Sequence, residues 1–107
     1  MSAETVFDQL VSELEPAGAE AGTMFGSRAI TLRKKAFVCL KDDRIALKLG
    51  AGSAAHSAAL ALPGSALWDP SGTHRPYKDW VSVPASDAKI LSPLAGAALT
   101  YLREVLG

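Results

Sequence analysis

Three short apolar runs separated by charged turns constrain the fold of this chain more than any other feature. They cover residues 28–32, 36–40 and 45–49. Each run has the length of a β-strand, and each turn has the length of a hairpin connection. The pattern predicts a three-stranded antiparallel meander.

Side-chain alternation assigns the faces of the third run. Ile45, Leu47 and Leu49 fall on one side of a strand, and Ala46 and Lys48 fall on the other. The first set is uniformly apolar, so we expect it to face helices. Ala46 and Lys48 are then expected on the face of the sheet that no helix covers.

The second run is apolar on both sides. Strict alternation places Phe37 and Cys39 on one face, and Ala36, Val38 and Leu40 on the other. The uncovered face of the sheet is therefore not polar enough to prefer water everywhere. We expect a second copy or another protein to cover it.

Helical patterns surround the predicted strands. The predicted helices span residues 3–15 and 53–62, with a last one that begins at Pro93 after an N-cap at Ser92. Residues 16–23 are predicted as a loop, and residues 65–68 and 80–83 as further strands. The order predicts an α+β fold of type α-β(3)-α-β(2)-α. We expect residues 1–107 to form one domain with two layers, an antiparallel sheet and helices on one face.

Composition excludes several classes of protein. Eleven basic residues balance eleven acidic ones, which disfavours binding to nucleic acid by overall charge. The single cysteine allows no internal disulfide. The first twenty residues contain five acidic and no basic residues, unlike a signal peptide. We expect a cytoplasmic protein without a membrane segment. No recognisable catalytic constellation is present, so we expect no enzymatic activity, no cofactor and no metal.

A glycine-containing turn is the strongest hint of a small-molecule site. Residues 50–55 match the pattern G-x-G-x-x-A between a predicted strand and a predicted helix. Gly50, Gly52 and Ser53 are therefore candidate anion-binding residues, because glycines let a backbone approach a phosphate closely. An ordinary glycine-rich entry to a helix produces the same pattern.

A loop with aromatic residues is a candidate partner or ligand surface. Its residues are Trp68, Arg75, Tyr77, Lys78 and Trp80. Aromatic anchors beside a cation are typical of recognition surfaces. The alternative is that the rings hold a long loop over a small core.

The first predicted hairpin turn is basic. Seven basic and two acidic residues lie between residues 28 and 48, a net charge of +5. Arg33, Lys34 and Lys35 are the candidate nucleic-acid patch. The alternative is that these lysines only keep an exposed turn soluble, and no aromatic residues alternate with them to stack on bases.

Several of these segments together resemble the N-terminal domain of TfoX/Sxy proteins, with the YjbR-like proteins as a related family. The matching segments are MFGS at 24–27, KAFV at 35–38, IALKL at 45–49 and HRPYKDWVSVP at 74–84. The resemblance implies a secretion-chaperone-like fold. In longer relatives this domain precedes a second one, and the protein regulates competence for DNA uptake. The resemblance implies no catalytic residues.

The leading functional hypothesis is a small non-catalytic interaction or regulatory domain that associates with itself through the uncovered face of the sheet. A small-ligand or nucleotide-binding module at residues 50–55 is the first alternative. Weak binding to nucleic acid through the basic hairpin is the second.

Overall fold

An antiparallel sheet of six strands, in the order β1-β2-β3-β4-β6-β5, and three α-helices form the described part of the chain. The computed structural model describes residues 2–24, 26–70, 72, 76–85 and 88–107. The helices are α1 (Ala3–Leu14), α2 (Ala54–Leu60) and α3 (Ala88–Leu106). The strands are β1 (Glu20–Met24), β2 (Ser27–Leu32), β3 (Lys35–Lys41), β4 (Arg44–Lys48), β5 (Ala66–Trp68) and β6 (Tyr77–Pro84). The predicted α+β class is confirmed.

Helix α1 forms as its periodicity predicts. The Ser2 hydroxyl caps it by accepting a hydrogen bond from the Thr5 N–H at 3.1 Å. Val6, Phe7 and Leu10 are fully buried on the side that faces the sheet. A short 3-10 turn, Glu15–Ala17, ends the helix.

Strand β1 lies where the sequence predicts a loop, so that prediction is wrong. It pairs with β2 from Glu20↔Thr31 to Met24↔Ser27. Its sequence, EAGTM, has neither an apolar alternation nor a run of β-branched residues. Pairing with β2, and not burial, stabilises the strand, so its sequence lacks the usual strand pattern. The meander therefore has four strands, and the element order is α-β(4)-α-β(2)-α.

A β-bulge interrupts the pairing of β2 with β3. The register passes from Ile30↔Val38 to Thr31↔Ala36, which leaves Phe37 as an extra residue on β3. A bulge of this kind breaks the alternation of side chains, because two residues on one strand oppose one on the other.

The bulge changes the predicted faces of β3. Phe37 and Val38 both belong to the core that the helices cover, whereas Ala36 and Cys39 lie in a cluster on the opposite side. The prediction that Phe37 shares a face with Cys39 is therefore wrong. Leu40 does share the helix-covered side with Val38, as alternation predicts.

Helix α3 begins earlier than predicted. Its first residue is Ala88, so Pro93 lies inside the helix and not at its first position. Proline removes one backbone hydrogen bond from a helix. Burial of Leu91, Ala95 and Ala98 against the sheet offsets that loss.

The core lies between the helices and one face of the sheet. It includes residues from all three helices together with Ile45, Leu47 and Leu49, as predicted. None of the described helices combines the length and apolar character that crossing a membrane requires.

We call the other side of the sheet the open face. Its buried cluster consists of sheet residues: Cys39, Ala46, Trp68 and Trp80. Across its middle, the paired positions of the six strands form a row of small residues. From β1 to β5 the row is Gly22, Ala29, Cys39, Ala46, Ser82 and Ala66.

Candidate functional site

The glycine turn between β4 and α2 has a structural explanation for each of its candidate residues. Gly50 and Gly52 have φ angles of 87° and 85°, which favour glycine. The Ser53 hydroxyl caps α2 by accepting from the His56 N–H at 3.1 Å, and it donates to the Leu49 carbonyl at 2.9 Å. Backbone angles and hydrogen bonds within the chain therefore account for all three residues.

Asp79 uses the backbone donors of this turn. Its carboxylate accepts from the Ala51 N–H at 2.8 Å, and its carbonyl accepts from the N–H groups of Leu49 and Gly50. A bound phosphate needs such N–H groups. Here a carboxylate of the same chain already neutralises part of the turn, and α2 has only seven residues.

The predicted aromatic residues do come together. The Trp68 ring lies 4.9 Å from that of Trp80 and 6.0 Å from that of Tyr77, measured between centroids. Both tryptophans are almost fully buried, but Tyr77 is 42% exposed. The cluster thus covers the sheet, and the part that a partner can reach is Tyr77 and the exposed Lys78 beside it.

A hydrogen bond joins Lys78 to helix α2. The Lys78 carbonyl accepts from Nε2 of the buried His56 at 2.7 Å, which requires the proton of the imidazole to sit on Nε2. Arg75 lies outside the described residues.

The basic hairpin turn is exposed. Arg33 and Lys34 have φ angles of 51° and 66°, and Lys35 starts strand β3. The fold brings Arg103 of α3 to the same shallow cavity as Arg33, and the Arg103 guanidinium donates to the Ala17 carbonyl at 2.6 Å. Binding of nucleic acid by this patch stays a prediction.

Cys39 is covered by the indoles of the open face. It is fully buried, and burial raises the pKa of its thiol to about 11, with Lys41 lowering it slightly. A thiol with this pKa is almost entirely protonated at neutral pH, so it is a poor nucleophile.

The pH dependence of stability follows from that pKa. The unfolded thiol ionises near pH 9.0, but the folded one ionises near pH 11, so stability is expected to fall as the pH rises between these values. The loss is about 2 kcal/mol. Urea denaturation from pH 8 to pH 11 measures this loss of unfolding free energy. The Cys39→Ala variant has no thiol, so its unfolding free energy should fall by correspondingly less over the same range. Parallel losses in both proteins would contradict it.

A cavity of about 290 Å³ lies on the open face beside this cluster. Its lining includes Lys41, Arg44, Ser82 and Trp68. The two cations are not among the predicted site residues, although the sequence contains a local signal for them. Lys41 and Arg44 flank the two-residue turn Asp42-Asp43, and residues that flank such a turn pair directly and share a face.

Hydrogen bonds hold both cations in place. The Arg44 guanidinium donates to the Ser82 hydroxyl at 2.8 Å, to the Gly64 carbonyl at 2.6 Å and to the Ser82 carbonyl at 3.0 Å. The Lys41 ammonium donates to the Pro70 carbonyl at 3.1 Å. Within the part of the chain that the structure describes, no carboxylate oxygen lies within 4.0 Å of either cation.

Comparisons of the chain with protein-family models, with curated proteins and with solved structures find no match. Within the described ranges, no group of three or more His, Cys, Asp or Glu side chains is placed to hold a metal ion. The resemblance to the TfoX/Sxy domain therefore stays a prediction.

Proposed function

We propose that the chain is a small non-catalytic interaction domain that pairs with a second copy of itself through the free edge of strand β1. The observation that carries this proposal is the contrast between the two edges of the sheet. Unpaired backbone N–H and C=O groups at an edge bind another strand unless the edge is protected.

The β5 edge is protected, whereas the β1 edge is not. Strand β5 has three residues, and Pro70 follows two positions after its end. Strand β1 has five residues, most of them exposed, and Glu20 is its one charged residue. Among the described residues, the hydrogen bond that the β1 backbone makes besides its ladder with β2 comes from a side chain of β2 itself, the Thr31 hydroxyl, which donates to the Glu20 carbonyl. An additional strand therefore has room to pair.

A second copy is complementary to this edge. In an antiparallel pair centred on Gly22, Glu20 of one copy lies opposite Met24 of the other, and Ala21 lies opposite Thr23. No like charges face each other, so the arrangement carries no electrostatic penalty. The result is one continuous sheet through both copies.

The open face is a weaker candidate for the contact than sequence analysis expects. Trp68 and Trp80 are only 5% and 6% exposed, so the chain's own indoles already cover that part of the face. We therefore place the contact at the edge of the sheet.

Sedimentation velocity over a wide range of concentrations tests the proposal. The wild-type protein is expected to form dimers, and the double variant Ala21→Lys/Thr23→Lys is expected to associate at least about tenfold more weakly, because it sets lysines opposite each other across the pair. The control Ser12→Lys/Ser57→Lys adds the same charge at exposed helical positions and should behave as wild type.

Two outcomes overturn the proposal. One is a wild-type protein that stays monomeric at every concentration. The other is an equal weakening of self-association in the β1 variant and in the control, which would mean that the copies meet at the open face or at another surface.

A further inference from the structure

We propose that the open-face cavity binds a small organic monocarboxylate with a planar apolar body. The inference is independent of self-association, because no residue of β1 lines the cavity. It rests on the charges, the hydroxyl group, the size and the aromatic wall of the cavity.

The two cations supply the charge that a carboxylate needs. Lys41 and Arg44 are half-buried, and their hydrogen-bond acceptors in the described residues are carbonyl and hydroxyl oxygens. Elsewhere in the fold, Arg28 is paired with both Glu4 and Asp8. Partly buried cations without a carboxylate partner bind an anion more strongly than solvated cations do.

Ser82 supplies a donor on the floor of the cavity. It is 7% exposed, and its oxygen accepts from Arg44 Nε. The Ser82 hydroxyl proton has no acceptor among the described residues. A carboxylate oxygen above it satisfies this buried donor while the other oxygen meets Lys41.

Two carboxylates in the lining limit the ligand to a single negative charge. Asp42 and Asp69 balance the two cations, so the lining is neutral overall. Asp69 also accepts from the Gly72 N–H at 3.1 Å, which fixes one of its oxygens. A second negative charge on the ligand would have to lie near these two carboxylates, so a monocarboxylate that contacts the cations alone is favoured over a dianion such as a phosphate ester.

Size and shape select the rest of the ligand. A cavity of about 290 Å³ is slightly smaller than the sites that usually bind drug-sized molecules, so the ligand has to be small. Trp68 and Leu67 also line the cavity, and an aromatic ring in the lining favours an apolar, planar body next to the carboxylate.

Calorimetric titration with benzoate tests the proposal, and tryptophan fluorescence gives a second readout of binding, because Trp68 lines the cavity. Benzoate is expected to bind saturably, with neutral benzamide and inorganic phosphate binding at least about tenfold more weakly. The Lys41→Met substitution is expected to weaken the binding of benzoate by about tenfold or more. Lys35→Met is the matched control, because it removes the same charge from the opposite end of strand β3.

The comparison of the three probes uses the wild-type protein, so it holds even where a variant folds poorly. Absence of saturable benzoate binding overturns the proposal. So does equal binding of benzoate, benzamide and phosphate, or an equal loss in Lys41→Met and Lys35→Met.

Discussion

Replacement of Gly50 by alanine is expected to lower the free energy of unfolding by about 3 kcal/mol, whereas Gly52→Ala should lower it by about 1 kcal/mol. Both glycines have nearly the same positive φ angle, so the conformational cost of a side chain is similar at the two positions. The difference comes from packing. A Cβ atom on Gly50 would lie 2.7 Å from Tyr101 Cδ1 and closer still to Cε1, whereas one on Gly52 would meet nothing within 4 Å.

Urea denaturation of the two variants measures this difference. Tyr101→Ala in the Gly50→Ala background should recover part of the loss, because the ring that collides with the new methyl group is removed. Equal losses at both glycines would contradict the prediction. The predicted result would also weaken the nucleotide-binding alternative, because packing against Tyr101 of helix α3 would explain why position 50 is glycine.

Replacement of Trp80 by alanine is expected to lower the free energy of unfolding by about 3–5 kcal/mol. The indole is 6% exposed and packs against Trp68 in the cluster that contains Cys39. Its loss should also uncover the Cys39 thiol. Labelling of Cys39 with a thiol reagent under native conditions is expected to be about a hundredfold faster or more, because the reagent can reach the thiol after a smaller opening of the structure.

Tyr77→Ala is the control for this variant. Tyr77 belongs to the same group of rings but is 42% exposed, so its loss should cost about 1 kcal/mol or less and leave the thiol protected. If Trp80→Ala lowers stability without faster labelling, the indole does not cover Cys39. The aromatic loop would then retain its other interpretation, that of a surface for a partner.

The parts of the fold that sequence analysis predicts are those where burial follows a regular period. Ile45, Leu47 and Leu49 alternate without interruption, and they lie in the core as predicted. The Ser2 cap and the periodicity of α1 likewise depend only on neighbouring residues.

The errors arise where the contacts are distant in sequence. Strand β1 forms because β2 offers it a partner, and its own composition is typical of a loop. The bulge at Phe37 depends on the register of two strands, which no single strand encodes.

The candidate sites follow the same rule. Asp79 reaches the glycine turn from 28 residues away, so its role at that turn has no local signal. The aromatic residues near the loop do form a group, and the burial of Trp68 and Trp80 agrees with the alternative that the rings hold the loop over a small core. Lys41 and Arg44 are the exception, because a two-residue turn between them already places them side by side.

The row of small residues across the middle of the open face makes this surface respond to substitution in the opposite way to the helical core. Under the helices, loss of volume is costly, because large side chains fill the space there. On the open face, the small residues Cys39 and Ala46 are buried in one cluster with the rings of Trp68 and Trp80. Residues along this row have almost no volume to lose, whereas enlargement of Cys39 or Ala46 would displace the rings and admit water to the sheet.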